Sequence, residues 1–257
     1  NHSKNVFENT QVMAVDNSGK QIEYPLKTPI DVVNYPVKAF EELNELELDL
    51  ETDFNFLSVA QFGPRKNMPN TIRWFVEEFA DEPNVGLVIK SNIAKNCLMD
   101  REHMLSELKN LLKEAPDRQC KVYLLHGDMT DEEMHSLYKH PKMSALLTLT
   151  HGEGFGLPPF EAAYSGLPVV ANSGESSFHE HVVDGQNGFL RHLDAGEWAN
   201  AVVKTLEISE SQRQLFARET SDLVSTERID ADYFRLLAAL AASSPGHRIS
   251  VSEILES

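Results

Sequence analysis

Thr150-His-Gly-Glu-Gly-Phe-Gly-Leu-Pro-Pro-Phe-Glu161 is the most informative stretch of the chain. An apolar run, residues 144–150, leads into it, and a helical pattern over 158–165, closed by Gly166, comes after it. A strand that passes into a helix through glycines puts the loop at the C-terminal edge of an open parallel sheet, where such sheets hold ligands. Gly152, Gly154 and Gly156 let the backbone approach a ligand and take angles closed to other residues. Pro158 or Pro159 fits the first helical turn, whose N–H groups have no partner within the helix. The remaining N–H groups and the helix dipole favour an electron-rich ligand group.

Working outward, the same rhythm recurs. Residues 54–60 read as a strand ended by Gly63-Pro64, and 71–79 as a helix with Ile72, Phe75, Val76 and Phe79 on one stripe. Strands at 85–89 and 121–125 flank a helix over 101–112, whose Met104, Leu105, Leu108, Leu111 and Leu112 face inward. A helix at 131–139 and a strand at 167–171 complete the pattern. This alternation predicts right-handed βαβ units and an α/β fold: a Rossmann-like, doubly wound parallel sheet. From residue 195 the chain reads helical, through Trp198, Val202, Val203 and Leu206, then Tyr233, Phe234, Leu237 and Leu240.

The first fifty residues differ. Residues 11–15 and 30–33 are short β-like runs separated by turn signals. Over 37–53, Phe40, Leu43, Leu46 and Leu50 fall at helical spacing, while seven of the thirteen residues from 41 to 53 are acidic and none is basic. That predicts a solvated helix face leading to a linker. The expected organisation is a linker region with first elements over 1–53, a Rossmann-like ligand-binding domain over 54–195 and a helical segment over 196–257.

Composition narrows the function classes. Hydrophobic residues at 41% and charged residues at 25% describe an ordinary globular protein. No window approaches the roughly 18 apolar residues of a membrane span. The opening Asn1-His-Ser-Lys4 has neither an initiator Met nor a signal-peptide layout, so a piece of a longer product is expected. Cys97 and Cys120 match no disulfide framework or zinc spacing, which predicts a reducing, cytoplasmic setting. A formal charge of −17 repels nucleic acid and anionic lipid, so any phosphate must be held by a local arrangement.

Glu153 supplies the chemistry of the glycine loop. A carboxylate there opposes a simple pyrophosphate cradle, yet it suits hydrogen bonds from vicinal hydroxyls. Glu161 offers a second carboxylate eight positions on. Two hydroxyl acceptors beside a backbone cradle fit a ligand with two polyol parts, as a nucleotide sugar has. Lys90, just after a strand end, is placed to reach its base or phosphates. His151 beside the loop and His126 after the third strand are further polar candidates. His179-Glu180-His181 lacks the i, i+4 spacing of a zinc pair, and no metal is expected. No Ser-His-Asp arrangement is supported by the spacing.

The run from Glu153 to Glu161, with seven residues between, resembles the signature of retaining GT-B glycosyltransferases of family 4, the group 1 transferases. Ala162-Ala-Tyr-Ser-Gly-Leu-Pro-Val-Val170 and Glu180-His-Val-Val-Asp-Gly-Gln-Asn-Gly-Phe-Leu190 resemble the family's segments C-terminal to that signature, and Ser58-Val-Ala-Gln-Phe-Gly-Pro-Arg-Lys-Asn67 its phosphate loop. The resemblance implies that Glu153 contacts donor-sugar hydroxyls, with the backbone of Gly154, Phe155, Gly156 and Leu157 near sugar or phosphate. It further implies Glu161 on the ribose, Lys66 on the diphosphate and the nucleobase near His126. The family commonly has an arginine five residues before that lysine; here it is Gln61, and Arg65 is the candidate replacement. The expected partners are a UDP- or GDP-type donor and a glycan, lipid or other acceptor held by a missing N-terminal domain; Asn1-to-Tyr35 resembles the interdomain linker. No cofactor is implied. Two alternatives stand beside this reading: a non-catalytic nucleotide-sugar-binding module, and another GT-B enzyme such as an epimerase. A phosphorylase would need a lysine poised for pyridoxal phosphate, to which no motif points.

Overall fold

The computed structural model describes residues 12–15, 18–24, 33, 40, 43–174, 177–192, 201, 204, 209–223 and 226–243. The chain divides into two compact units, residues 38–220 and residues 1–37 with 221–257.

The larger unit is built on six parallel strands: β3 (Phe54–Val59), β4 (Val85–Lys90), β5 (Lys121–Leu125), β6 (Met143–Thr148), β7 (Val169–Asn172) and β8 (Gly188–Arg191). Their order, β5-β4-β3-β6-β7-β8, is the doubly wound Rossmann order, reversing direction between β3 and β6. Phe56 pairs with Ala145 and Leu57 with Leu146 across that central seam. Successive residues of a strand face opposite sides, and here both sides are covered. Phe56, Leu87, Ile89 and Leu147 pack under α1 (Met68–Glu78) and α2 (Leu98–Leu112). Leu57, Val88, Leu146 and Val169 pack under α3 (Asp131–Tyr138) and α4 (Leu157–Tyr164). Burial of both faces explains why the strands read as continuous apolar runs.

The expected helix through Leu43, Leu46 and Leu50 is corrected: residues 43–50 form neither helix nor strand. Leu46, Leu48 and Leu50 alternate with exposed acidic residues and pack on the α3–α4 side of the sheet. A helix would stack the like charges at i, i+3 and i, i+4, which is unfavourable. Ser136 Oγ donates to Asn44 O at 2.8 Å and Lys142 Nζ to Leu50 O at 2.8 Å, supplying partners that the missing helix would have supplied. Residues 30–32 and most of 195–208 lie outside the described residues.

The smaller unit contains an antiparallel pair, β1 (Val12–Val15) and β2 (Gln21–Tyr24), and α6 (Thr226–Ser243). α6 lies in the stretch expected to be helical; on it Ile229 is buried, whereas Tyr233 and Phe234 are exposed. Helix α5 (Glu210–Leu223) precedes it. Among the described residues, no helix is long and apolar enough to cross a membrane.

Candidate functional site

The two loops that leave β3 and β6 meet where the strand order reverses. After β3 the chain makes a 3-10 turn, Pro64–Lys66, and Asn67 takes a left-handed conformation (φ 55°) to start α1. Asn is among the few side chains that enter that region readily, and Pro69 fits the first turn behind it. Asn67 Nδ2 donates to Leu149 O at 3.0 Å, Thr150 Oγ1 to Arg65 O at 2.9 Å, and His151 N to the same carbonyl at 3.0 Å. The Arg65–Lys66 turn is thereby tied to the glycine loop. Asn172 Nδ2, at the end of β7, donates to Thr150 O at 2.9 Å and fixes the far side.

These ties bring together residues 87 and 88 positions apart. Lys66 Nζ and Arg65 Nη1 both donate to Glu153 Oε2, the latter at 3.3 Å, and Arg65 Nη1 also donates to Gly152 O at 2.9 Å. The Lys66 and Glu153 side chains are 19% and 16% exposed, Arg65 62%. Solvent therefore screens the arginine far more than the lysine. Gln61 is turned elsewhere: its amide donates to Ile93 O at 2.7 Å, in the loop after β4. Arg65 thus occupies the place beside Lys66 that the sequence left to either residue.

Gly156 (φ 81°) begins α4, and the next three positions are Leu157, Pro158 and Pro159. Of those three only Leu157 carries an N–H, so this helix end offers fewer donors than its glycines suggest. A Cβ on Gly156 would stand 2.5 Å from the ring of Phe178. That ring belongs to an aromatic group: Phe155 lies 5.1 Å from Phe160 and 5.8 Å from His181, and Phe178 lies 6.1 Å from His181. Burial pushes His181 down to about 4, and its Nε2 has no hydrogen-bond partner among the described residues. It therefore supports the Phe155 loop as a neutral ring. His179 Nε2 lies 3.1 Å from Ser173 O, so the two histidines of 179–181 serve different neighbours.

Glu161 lies one turn into α4, where Tyr138 Oη donates to its Oε2 at 2.9 Å. Burial raises the Glu161 carboxyl above the usual range, and burial together with that carboxylate raises the Tyr138 hydroxyl. Tyr138 is a functional neighbour that the sequence reading missed. Lys90 Nζ, at the end of β4, donates to Gly127 O, and burial lowers its ammonium. Next to it His126 Nε2 stands 2.9 Å from Asp100 Oδ2, and Asp100 also accepts from Ile93 N and Ala94 N at 3.0 Å each. The His126 hydrogen bond leads in lowering the Asp100 carboxyl. This buried dyad holds the loops after β4 and β5 together.

A cavity of about 630 Å³ lies away from all of these residues except Tyr138. It is bounded by Tyr138, Tyr164, Gly166 and Arg213, next to the C-terminal ends of α3 and α4, at the sheet's opposite edge. Volume alone does not make it the site, because it lacks the glycine loop and the charged trio, and open α/β sheets take ligands at the strands' C-terminal ends.

A doubly wound sheet with a glycine loop and converging charges at its switch point defines a Rossmann-like ligand-binding domain. The glycosyl transferases group 1 family matches residues 40–220, and the chain belongs to that family. Trehalose synthase of Pyrococcus horikoshii is 27% identical over 207 residues, 79% of this chain and 48% of that protein. The serotype-specific mannosyltransferase WbdA of Escherichia coli is 31% identical over 116 residues, 45% of this chain and 13% of that one. The chain thus spans about half or less of the length of these curated relatives. The crystal structure of Anabaena HepE in complex with UDP and glucose shares the fold, with a TM-score of 0.57 at 20% identity over 72% of this chain and 48% of that one.

Proposed function

We propose that this chain is the donor-binding half of a retaining glycosyltransferase that takes its sugar from a nucleotide sugar. The observation that carries the reading is the convergence of Lys66, Arg65 and Glu153 at the switch point between β3 and β6. Cations for a diphosphate and a carboxylate for sugar hydroxyls then sit side by side, as that ligand requires. Glu161 takes the ribose hydroxyls, and Lys90 with His126 borders the base. The backbone of Gly154, Phe155, Gly156 and Leu157 lies along the sugar and phosphates, and Gln61 holds the loop after β4. That relatives include a trehalose synthase and a mannosyltransferase supports a hexosyl donor. The UDP and glucose bound to HepE support a uridine base as the first one to try.

In this account the protein's part in the reaction is electrostatic. Lys66, Arg65 and the loop N–H groups stabilise charge as it develops on the departing diphosphate. The diphosphate assists deprotonation of the acceptor on the same face, so the anomeric configuration is retained. Two cations held at one point fill the role that a metal ion would otherwise have. The acceptor is a glycan, lipid or other hydroxyl compound bound with a second domain, and the two free cysteines support a reducing, cytoplasmic setting.

Calorimetric titration with UDP-, GDP- and ADP-glucose and GDP-mannose tests the reading. One of them should bind, and EDTA should not change its affinity. Failure of all four to bind at millimolar concentration would refute donor binding, and a requirement for a divalent cation would refute the electrostatic account. Binding without transfer to any acceptor by the full-length gene product would favour the non-catalytic module, for which uncharged Gln61 speaks.

A further inference from the structure

Glu153 and Lys66 are each committed to the other, although the proposed ligand needs them separately. Lys66 Nζ and Arg65 Nη1 share one carboxylate oxygen of Glu153. Their backbones stay close, because Thr150 Oγ1 and His151 N both hold the Arg65 carbonyl and thereby tie the basic turn to the glycine loop. A bare nucleoside diphosphate arriving at Lys66 must therefore do one of two things. It can draw the ammonium away and leave a carboxylate that is only 16% exposed, which water compensates incompletely. Otherwise its phosphates come to rest beside an anionic side chain, where like charges at a few ångströms repel. Arg65 relieves little of this, because it is 62% exposed and already spends one N–H on Gly152 O.

An intact nucleotide sugar escapes the conflict. As its phosphates take Lys66, its sugar hydroxyls donate to Glu153 and replace the lost N–H. We propose that the Lys66–Glu153 pair, flanked by Arg65, is a specificity device that favours the intact nucleotide sugar over the bare nucleoside diphosphate. Its consequence is directional. Once the sugar has been transferred, the remaining diphosphate faces a Glu153 that has lost the sugar hydroxyls and keeps only the exposed Arg65 as a donor, and its departure is favoured. The idea rests on the reading of the site as a nucleotide-sugar site, but it concerns competition between residues already bonded to each other.

The test uses the nucleotide sugar found in the calorimetric screen and its own nucleoside diphosphate, titrated into the unmodified chain, Glu153→Gln and Glu153→Ala. The unmodified chain should prefer the nucleotide sugar by about tenfold or more, the equivalent of 1.4 kcal/mol. Both variants should bind the diphosphate more tightly, by several-fold to about tenfold, while their affinity for the nucleotide sugar stays level or falls, so the preference collapses. Alanine guards against glutamine holding Lys66 through its amide oxygen, and an intact thermal transition identifies the folded variants. If neither ligand binds the unmodified chain, the functional reading itself fails. If both bind but the unmodified chain shows no preference, or a folded variant keeps the preference, that reading survives and the specificity device is overturned. The preference of the unmodified chain needs no variant, so misfolding of both substitutions still leaves the idea exposed to refutation.

Discussion

Replacing Gly156 with alanine tests whether the glycine loop is shaped by the aromatic ring beneath it. Gly156 stands at φ 81°, ψ 61°, immediately before α4. An L-residue in that left-handed region costs roughly 1–2 kcal/mol. The new methyl would lie 2.5 Å from Phe178 Cε1 and 3.1 Å from Cδ1. Phe178 is fully buried and packs against His181, so its ring cannot swing aside without disturbing its neighbours. Overpacking of this kind adds about 1–3 kcal/mol. The sum, roughly 2–5 kcal/mol, is a large part of the roughly 5–15 kcal/mol that stabilises an ordinary domain. Urea unfolding followed by circular dichroism reads it as a lower midpoint at constant slope. Gly154→Ala is the control: among the described residues, apart from its two chain neighbours, no atom lies within 4 Å of its added Cβ, and its effect should stay below about 1 kcal/mol. A Gly156 variant as stable as the Gly154 variant would refute the argument that Phe178 dictates the loop's path.

Three further outcomes are expected. Burial raises the Glu161 carboxyl, so the folded chain holds more protons than the unfolded one between the two values, and stability falls as pH rises through that window. Glu161→Gln should therefore raise the melting temperature at pH 7 while weakening nucleotide binding about tenfold; a lowered melting temperature or unchanged binding contradicts one or the other half. His181, held down at about 4 against roughly 6.5 unfolded, takes up its proton more readily in the unfolded chain, so stability is lost as pH falls from about 6.5 to 4. His181→Phe should flatten that acid slope in urea titrations, and an unaltered slope would show that the ring is not buried neutral. Asp100→Asn leaves too few acceptor sites for His126 Nε2, Ile93 N and Ala94 N, so hydrogen exchange at residues 93 and 94 should accelerate; exchange that stays slow would mean that the loop is held by other contacts.

The central sheet was legible because strands buried on both faces leave unbroken apolar runs, as at residues 85–89, where β4 runs only one residue beyond the expected five. Helix α1 begins at Met68, three residues before the expected start, because Asn67 supplies the left-handed turn that glycine usually marks. β8 was not foreseen. It has only four residues, and it needs Gly188, where a Cβ would lie 2.1 Å from Val169 O, so close strand contact and not composition defines it. Residues 43–50 were misread because leucines at 46 and 50 fit a helix as well as an alternating chain, and the neighbouring Leu48 decides only once its packing is known. At the site, Glu153 stood out by its place in the glycine loop and its carboxylate, whereas Lys66 was marked by the family resemblance alone; that the two side chains meet is seen only in the fold. The choice between Gln61 and Arg65 was not legible, since it depends on which way two side chains turn from one loop. Tyr138 was beyond reach, because its bond to Glu161 arises from packing of α3 on α4, 23 residues apart.

A crystal structure of the chain with its bound nucleotide sugar is the most direct measurement of the central claim. It should show the diphosphate between residues 60–67 and 150–157, with Lys66 Nζ within hydrogen-bond reach of a phosphate oxygen and Glu153 turned to the sugar hydroxyls. A ligand seated at the opposite edge of the sheet, or phosphates lying away from Lys66 while it stays on Glu153, would contradict the account.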